Sequence, residues 1–563
     1  MRDLRAGPLT LDLDGADLRG IRLGGREVLR RVYVAVRDRD WGTVAGEVRD
    51  LSVTQEGDAT AATFECVHRR AGIDFRWQGR IHCSARGVIR FEMQGRAHST
   101  FLRNRIGICV HHPLRETVGR KCTVETAGGR REDVFPFYVS PHQPFLDLRS
   151  ITHEVEPGVP VEVRFAGDVF EMEDHRNWTD GGFKTYSTPL RLPFPVEVQE
   201  GAEVRQAVEI RLLATAESAD QAAPDALPQL RPGAGGVRPL PAIGFGIGAR
   251  FGIGAGLAAE DLPLLRALQP AHLRLDCEIW SDCSEKIRLA AALGLPLELA
   301  LHISDNGDAE IRAHLDVLRQ VRPARVLVFH RNEKVTPSRW VALARSLLGD
   351  RAMGGTNQFF AELNRNRPED RGAGACFSVN PQVHAFDNLS LVENLEAQAH
   401  VVQSARMFLG QGPIVVSPVT LLPRFNPEAS SQSARPAEPP ADPRQRQPFC
   451  AAWTAGSLKY LAEAGAASVT YYEVAGPRGL LEQGVPFPVY ALFEALAPFA
   501  GGQCVPVESS APLRVLGFAV RKQGRSRVLL VNLSGRVERT TGWLARELGP
   551  WEVAVIDNVR EVL

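Results

Sequence analysis

The chain has 563 residues, 44% hydrophobic and 23% charged, a balance that fits a soluble globular protein with room for two to four domains. Lysine plus arginine equals aspartate plus glutamate at 66 each, so no overall field draws a polyanion and nucleic-acid binding is not expected. The opening run, MRDLRAGPLTLDLDGADL, holds no apolar core of signal-peptide length and no later run approaches a membrane span, so the expected location is the cytoplasm, without a membrane partner.

Residues 1–215 read as β structure. Segments such as ATAATFECVH, FRWQGRIHCS, VIRFEMQG, VPVEVRF and RQAVEIRLLA are short, often alternating, and separated by Gly, Asp or Pro turns, which predicts an antiparallel β-sandwich. The stretch 216–241, rich in Ala, Pro and Gly, cannot bury enough to fold alone and is expected to be a linker. From residue 242 to 500 short apolar strands alternate with helical patterns. The predicted strands are Ile243–Ala249, His272–Asp276, Pro296–His302, Arg325–His330, Ala352–Asn357, Cys376–Asn380, Pro413–Ser417 and Ala467–Glu473. Eight strands, each with a following helix or room for one, predict a TIM (β/α)8 barrel. GFGIGARFGIG carries glycines but lacks the strand–turn–helix register of a dinucleotide site, and no cofactor is expected. The seventh connection, about 421–448, is long and rich in Pro, Ser and Ala, and reads as a lid over the barrel. Residues 501–563 return to alternation and form a small C-terminal β module. The nine cysteines are scattered, and the closest pair, Cys277 and Cys283, has no zinc-type companion, which implies reduced and mostly buried thiols.

In such a barrel the catalytic groups come from the C-terminal strand ends, where the loops converge over the axis. Those ends are polar one after another. Strand two offers Asp276, strand three His302, strand four His330 and Glu333, and strand five Asn357 and Glu362. Strand six offers Asn380, His384 and Asp387, strand seven Arg424, and strand eight Tyr472 and Glu473. Each has a structural alternative. Glu333 is a general acid or base, or caps the helix beginning near Thr336. Glu473, directly after the apolar VTYY, is catalytic or half of an ion pair with an arginine. His384 and Asp387 orient one another as base and partner, or supply only loop polarity. His302 and His330 are site residues or satisfied core histidines. In the β-rich region, EDHRNWTDGGFKTY is an odd cluster for a strand; Asn177 and Trp178 either reach the substrate or glue a turn. No HExxH or HxH pair occurs, so no metal is expected.

The runs VFHRNEKVT, GGTNQFFAELNR, SVNPQVHAFDN, VVSPVTLLPRFNP, GSLKYLAEAGAASVTYYE and MEDHRNWTDGGFKTYSTPL resemble the D-apionate lactonase family, over most of the chain. The resemblance implies a glycoside-hydrolase-like barrel and hydrolysis of D-apionolactone to D-apionate in apiose catabolism, with a small sugar lactone as the partner molecule. One departure is Arg331-Asn332 before Glu333, where a smaller and more acidic pair is expected. Lactone hydrolysis needs a base for water, donors for the developing oxyanion and an acid for the leaving alkoxide. No GxSxG elbow is present, which disfavours a serine nucleophile. Glu333 or Glu473 is then expected to activate water and His330 or His384 to protonate the ring oxygen. Asn357, Asn380 and Arg424 hold the carbonyl and hydroxyls, and Asp276, His302, Glu362, Asp387, Tyr472, Asn177 and Trp178 line the substrate. One rival is a glycoside hydrolase with Glu333 as acid/base, although strand seven, PIVVSPVT, carries no carboxylate. The other is a carbohydrate-binding protein with an inactive barrel.

Overall fold

The computed structural model describes residues 2–213, 226–248, 251, 257–370, 372–425 and 440–562. They fall into two compact units. The first runs to His175 and resumes at Gly181. The second takes Arg176–Asp180 and then the described chain from Leu227 onward. Residues 426–439, the middle of the expected lid, lie outside the described residues.

In the first unit the strands pair antiparallel and hydrogen bonds link seventeen of them into one sheet. The alternation seen in the sequence produces this directly. Ile73–Ser84 turns Phe75, Trp77, Ile81 and Cys83 inward and its polar residues outward. Its hairpin with Ala59–Arg70 closes on two residues, Ala71 at φ +48° and Gly72 at φ +85°, the left-handed pair that matches strand twist.

The second unit holds the barrel. Its parallel strands are Ala242–Gly246, His272–Glu278, Leu297–Ile303, Arg325–His330, a fifth in two pieces, Ala375–Val379, Ile414–Val419 and Ser468–Ala475. Strand five breaks into Ala352–Met353, paired with strand four, and Gly355–Phe359, paired with strand six. The ring therefore closes through its two halves. Gly355 makes the break possible: its φ is +133°, and a Cβ there would stand 2.1 Å from the Cys376 carbonyl oxygen.

The stretch expected as a linker differs from expectation where it is described. Gln229–Pro232 pairs with Val507–Ser509 and Thr541–Gly542, and Arg238–Pro239 pairs with Gln503–Val505. The cause is apolar: Leu230 packs into the C-terminal module's core with Val507, Val515 and Leu530. Residues 214–225 lie outside the described residues.

Inside the barrel, below the mouth, sits a polar layer. Glu298 is fully buried and accepts from Ser417 Oγ at 2.5 Å, Arg325 Nη1 at 2.7 Å and Thr470 Oγ1 at 3.2 Å. His272 donates to or accepts from Thr470 at 2.8 Å, in space left by Gly244, whose Cβ would lie 2.3 Å from the imidazole. Burial by itself would raise the Glu298 carboxyl; His272, Arg325 and Arg274 bring it down to about 2 from 4.5. A depressed folded value means stability that is present above the unfolded value and lost as pH falls towards the folded one. Glu298→Gln should therefore cost about 3 kcal/mol at neutral pH and flatten the acid loss. Denaturant melts between pH 5 and pH 3 check it: parallel slopes for wild type and variant would refute the linkage.

Candidate active site

The strand ends converge as the barrel requires, and the residue that organises them is Arg274, in the middle of strand two. Its side chain is only 1% exposed. Nε and Nη2 grip the Asp276 carboxylate at 3.0 and 2.8 Å, a fork on a carboxylate. Nη1 donates to the Ser417 carbonyl at 2.6 Å and its hydroxyl at 2.9 Å, and Nη2 also reaches Asn357 Oδ1 at 2.9 Å. Strands two, five and seven are thereby tied at one point. Phe329 forms the floor, with its ring 5.9 Å from the Arg274 guanidinium and 5.6 Å from the His302 ring.

Asp276 then holds His302: Nε2 lies 3.0 Å from Asp276 Oδ1. Asp276 stays 40% exposed and His302 19%, so the pair meets solvent while its anchor does not. Burial pulls the Asp276 carboxyl upward, but the Arg274 guanidinium and His302 outweigh it and hold it well below the usual carboxylate range. On the other flank Arg424 donates to the Asn357 carbonyl at 2.8 Å and to its Oδ1 at 2.7 Å. Burial, then the neighbouring Arg274 charge, push the Arg424 guanidinium down to about 10, which leaves it a cation at neutral pH.

Glu473 reaches the mouth through a bulge. The ladder with strand one pairs Phe245 with Tyr471 and Gly246 with Glu473, skipping Tyr472, which stands at φ +49°. Tyr471 and Tyr472 both turn to helix Pro448–Ala464, bonding Ser457 at 2.9 Å and Thr454 at 2.7 Å. The skipped residue reverses the alternation and aims Glu473 inward. A Cβ on Gly248 would lie 3.3 Å from Glu473 Oε2. Arg478 Nε donates to its Oε1 at 3.0 Å, so the expected ion pair with an arginine is present.

After strand six a second histidine–carboxylate pair forms. His384 Nδ1 lies 2.5 Å from Asp180 Oδ2, and Asn394 Nδ2 donates to Asp180 Oδ1 at 3.0 Å. Asp180 comes from the short segment Arg176–Asp180, which belongs to the barrel unit. In that segment Thr179 donates to the Asn380 carbonyl at 3.1 Å, and Asn177 Oδ1 accepts from Asn364 at 3.0 Å. Trp178 packs edge-on against Phe359 and His384.

Several expectations are corrected. His330 does not face the axis: Leu327 and Phe329 take the inward positions, and the His330 ring stacks on Trp340 of the helix layer at 5.9 Å. Asp387 is not the partner of His384. It caps helix Asn388–Glu393, accepting from the Ser390 amide at 3.0 Å and its hydroxyl at 2.9 Å. Tyr472 is buried against helix Pro448–Ala464, as described, and lines nothing. Glu362 is buried with Lys334 Nζ at 3.2 Å, and Asn380 is buried, its Oδ1 accepting from the Gln382 amide at 3.2 Å. Glu333 is exposed beyond strand four. The unusual Arg331 lies over the Trp280 ring at 4.9 Å, joining the loops after strands two and four. Sequence reasoning missed Arg274 and Asp180. The parity of His272, Arg274 and Asp276 on one strand was the available signal for the first, and nothing in spacing points to the second.

The sequence matches the family profile "D-apionate lactonase, N-terminal domain" over residues 1–215 and "D-apionate lactonase, TIM barrel domain" over residues 253–501. It is 32% identical over 559 residues to the D-apionate lactonase of Brucella anthropi, covering 92% of this chain and 91% of that protein. Among solved structures it is similar to a GH30 endoxylanase from Clostridium papyrosolvens, at 10% identity and a TM-score of 0.38, over 56% of this chain and 88% of that one. It is also similar to a beta-arabinopyranosidase, at 10% identity and a TM-score of 0.31, over 99% of this chain and 98% of the other. The two profiles together span well over half of the sequence, and with the bacterial relative they show that this chain belongs to the D-apionate lactonase family and is a lactone-hydrolysing enzyme.

Proposed function

We propose that the enzyme opens D-apionolactone to D-apionate, with His302 as the proton-transfer group. The observation that carries this reading is that the His302–Asp276 pair and the Arg424–Asn357 pair are both bonded to one buried cation, Arg274. The family and the activity named for the Brucella anthropi relative support this substrate.

The steps balance with these residues alone. Asp276 holds Nε2 of His302, which leaves Nδ1 to take a proton from water as it attacks the lactone carbonyl. The carbonyl oxygen becomes anionic and is stabilised by the Arg424 guanidinium, a donor already fixed on Asn357 before substrate arrives. Collapse breaks the bond to the ring oxygen, which receives the proton from the His302 imidazolium. Asp276, held ionised by Arg274, stabilises that imidazolium. Glu473, held by Arg478, accepts hydrogen bonds from the sugar's hydroxyls. Glu333 has no part in this scheme.

His302→Asn should lower kcat by about 10²–10⁴-fold with an unchanged far-ultraviolet spectrum. His384→Asn should cost less than about tenfold on the same scale. The reverse ranking would move the centre to the pair after strand six. Arg424→Met should cost about 10²–10³-fold in kcat on D-apionolactone, read as acid release in a pH-stat. An unchanged kcat in that variant, with or without a raised KM, would remove the oxyanion role. Turnover of aryl glycosides without lactone opening would overturn the whole reading.

A further inference from the structure

The first unit carries an arginine cluster that has no counter-charge bonded to it. On the antiparallel pair Arg26–Asp38 and Phe101–Pro113, Arg37 stands directly opposite Arg105; past a bulge Arg103 pairs with Asp38, and its Nη1 lies 3.5 Å from the same Asn104 carbonyl that accepts from Arg105. Arg37 and Arg105 are 7% and 4% exposed. None of the three has an ion pair among the described residues. Their bonds go to neutral oxygens: Arg105 Nη1 to the Asn104 carbonyl at 2.7 Å, Arg37 Nη1 to the Trp41 carbonyl at 3.3 Å and to Thr43, and Arg103 Nη1 to Thr188 Oγ1 at 3.1 Å. Three buried donors, Arg105 Nε, Arg105 Nη2 and Arg103 Nε, find no acceptor among the described residues.

Like charges paired across a sheet repel, and a buried guanidinium with unmet donors is costly. Carboxylates around the cluster are otherwise engaged: Asp38, opposite Arg103, pairs with Arg70 and accepts from the Asp40 and Gly42 amides. Glu171 accepts from Tyr186 and the Leu190 amide, and Asp168 accepts from Ser187 and Gln206. The Arg105 guanidinium lies 5.2 Å from the Trp41 ring and 5.1 Å from the Phe194 ring. The two rings meet edge-on, and Phe194 is 44% exposed, an aromatic cover at the surface. Aromatic faces retain the cation but supply no acceptor for its edge. What two neighbouring guanidinium edges match is a group with two coplanar oxygens.

We propose that Arg105, beneath Trp41 and Phe194, and the neighbouring Arg103 form a binding site for a small carboxylate on the first unit. The anion enters as Phe194 swings outward, and its two oxygens take the donors of Arg105 and Arg103. This site is made wholly of first-unit residues and its truth does not depend on the barrel chemistry.

The test is thermal unfolding of the full chain at constant ionic strength, with sodium gluconate, acetate or phosphate replacing chloride. Wild type should gain a few degrees, saturably, in gluconate and acetate. Arg105→Met should lose that gain, keep lactone turnover within twofold, and melt in chloride no lower than wild type, because a buried charge with unmet donors has gone. An equal gain in Arg105→Met and wild type, or no saturable gain in wild type, overturns the site. A response to phosphate alone overturns the carboxylate. If Arg105→Met does not fold, Trp41→Phe decides: the fluorescence change that gluconate produces in wild type should vanish in it, and its persistence overturns the proposal.

Discussion

The geometry of the mouth depends on one fact, that Arg274 is a cation inside a barrel. A guanidinium at 1% exposure has to fill its donors with protein. It does so by drawing Asp276 from its own strand, Asn357 from strand five, and the carbonyl and hydroxyl of Ser417 from strand seven. These contacts fix the positions of groups that themselves touch the open side. Asp276 cannot turn from His302 without leaving two of the Arg274 bonds. Asn357 cannot leave Arg424 without exposing both cations to each other. Preorganisation here is a consequence of desolvation.

Beneath that cation the barrel continues polar where a purely structural one would be filled with branched aliphatic side chains. Ser417 bonds upward with Arg274 and downward with Glu298. Through Glu298 the network reaches Thr470 and Arg325, and through Thr470 it reaches His272. A partly satisfied network would be worse than an apolar core, so each member is held by the others. Strand one contributes room instead of side chains: Gly244 accepts the His272 ring and Gly248 lies against Glu473. The mouth is therefore lopsided, because strand one lends it no side chain.

The barrel was legible because short apolar strands and helical patterns alternate with few exceptions, and burial of both strand faces leaves little else for such a pattern to become. That the strand ends are polar was legible too. Which polar residue faces the axis was not, because that is a matter of parity and parity can be broken. His330 looked equivalent to His302, yet Phe329 holds the inward place on strand four. On strand eight the skipped Tyr472 reverses the alternation, so Glu473 points inward where simple counting would have sent it out. Asp387 lay at a convincing distance from His384 in sequence, but a carboxylate before Ser390 at a helix start serves its amide first. The linker misled because Pro and Gly conceal how much one apolar residue, Leu230, can anchor.

Asp180 shows the limit of local reading most sharply. It lies 204 residues from His384, inside a segment flanked by strands of the first unit, yet Arg176–Asp180 counts among the barrel's own residues. Five residues are too few to fold by themselves, and their order comes from the partners they meet: Thr179 with the Asn380 carbonyl, Asn177 with Asn364, Trp178 with Phe359. Asp180 is bonded at both oxygens, by His384 and by Asn394. A barrel expressed without the preceding domain would thus lack a carboxylate that orients one of its histidines. The strand-two pair has no such dependence, because Arg274, Asp276 and His302 come from adjacent strands of the barrel itself.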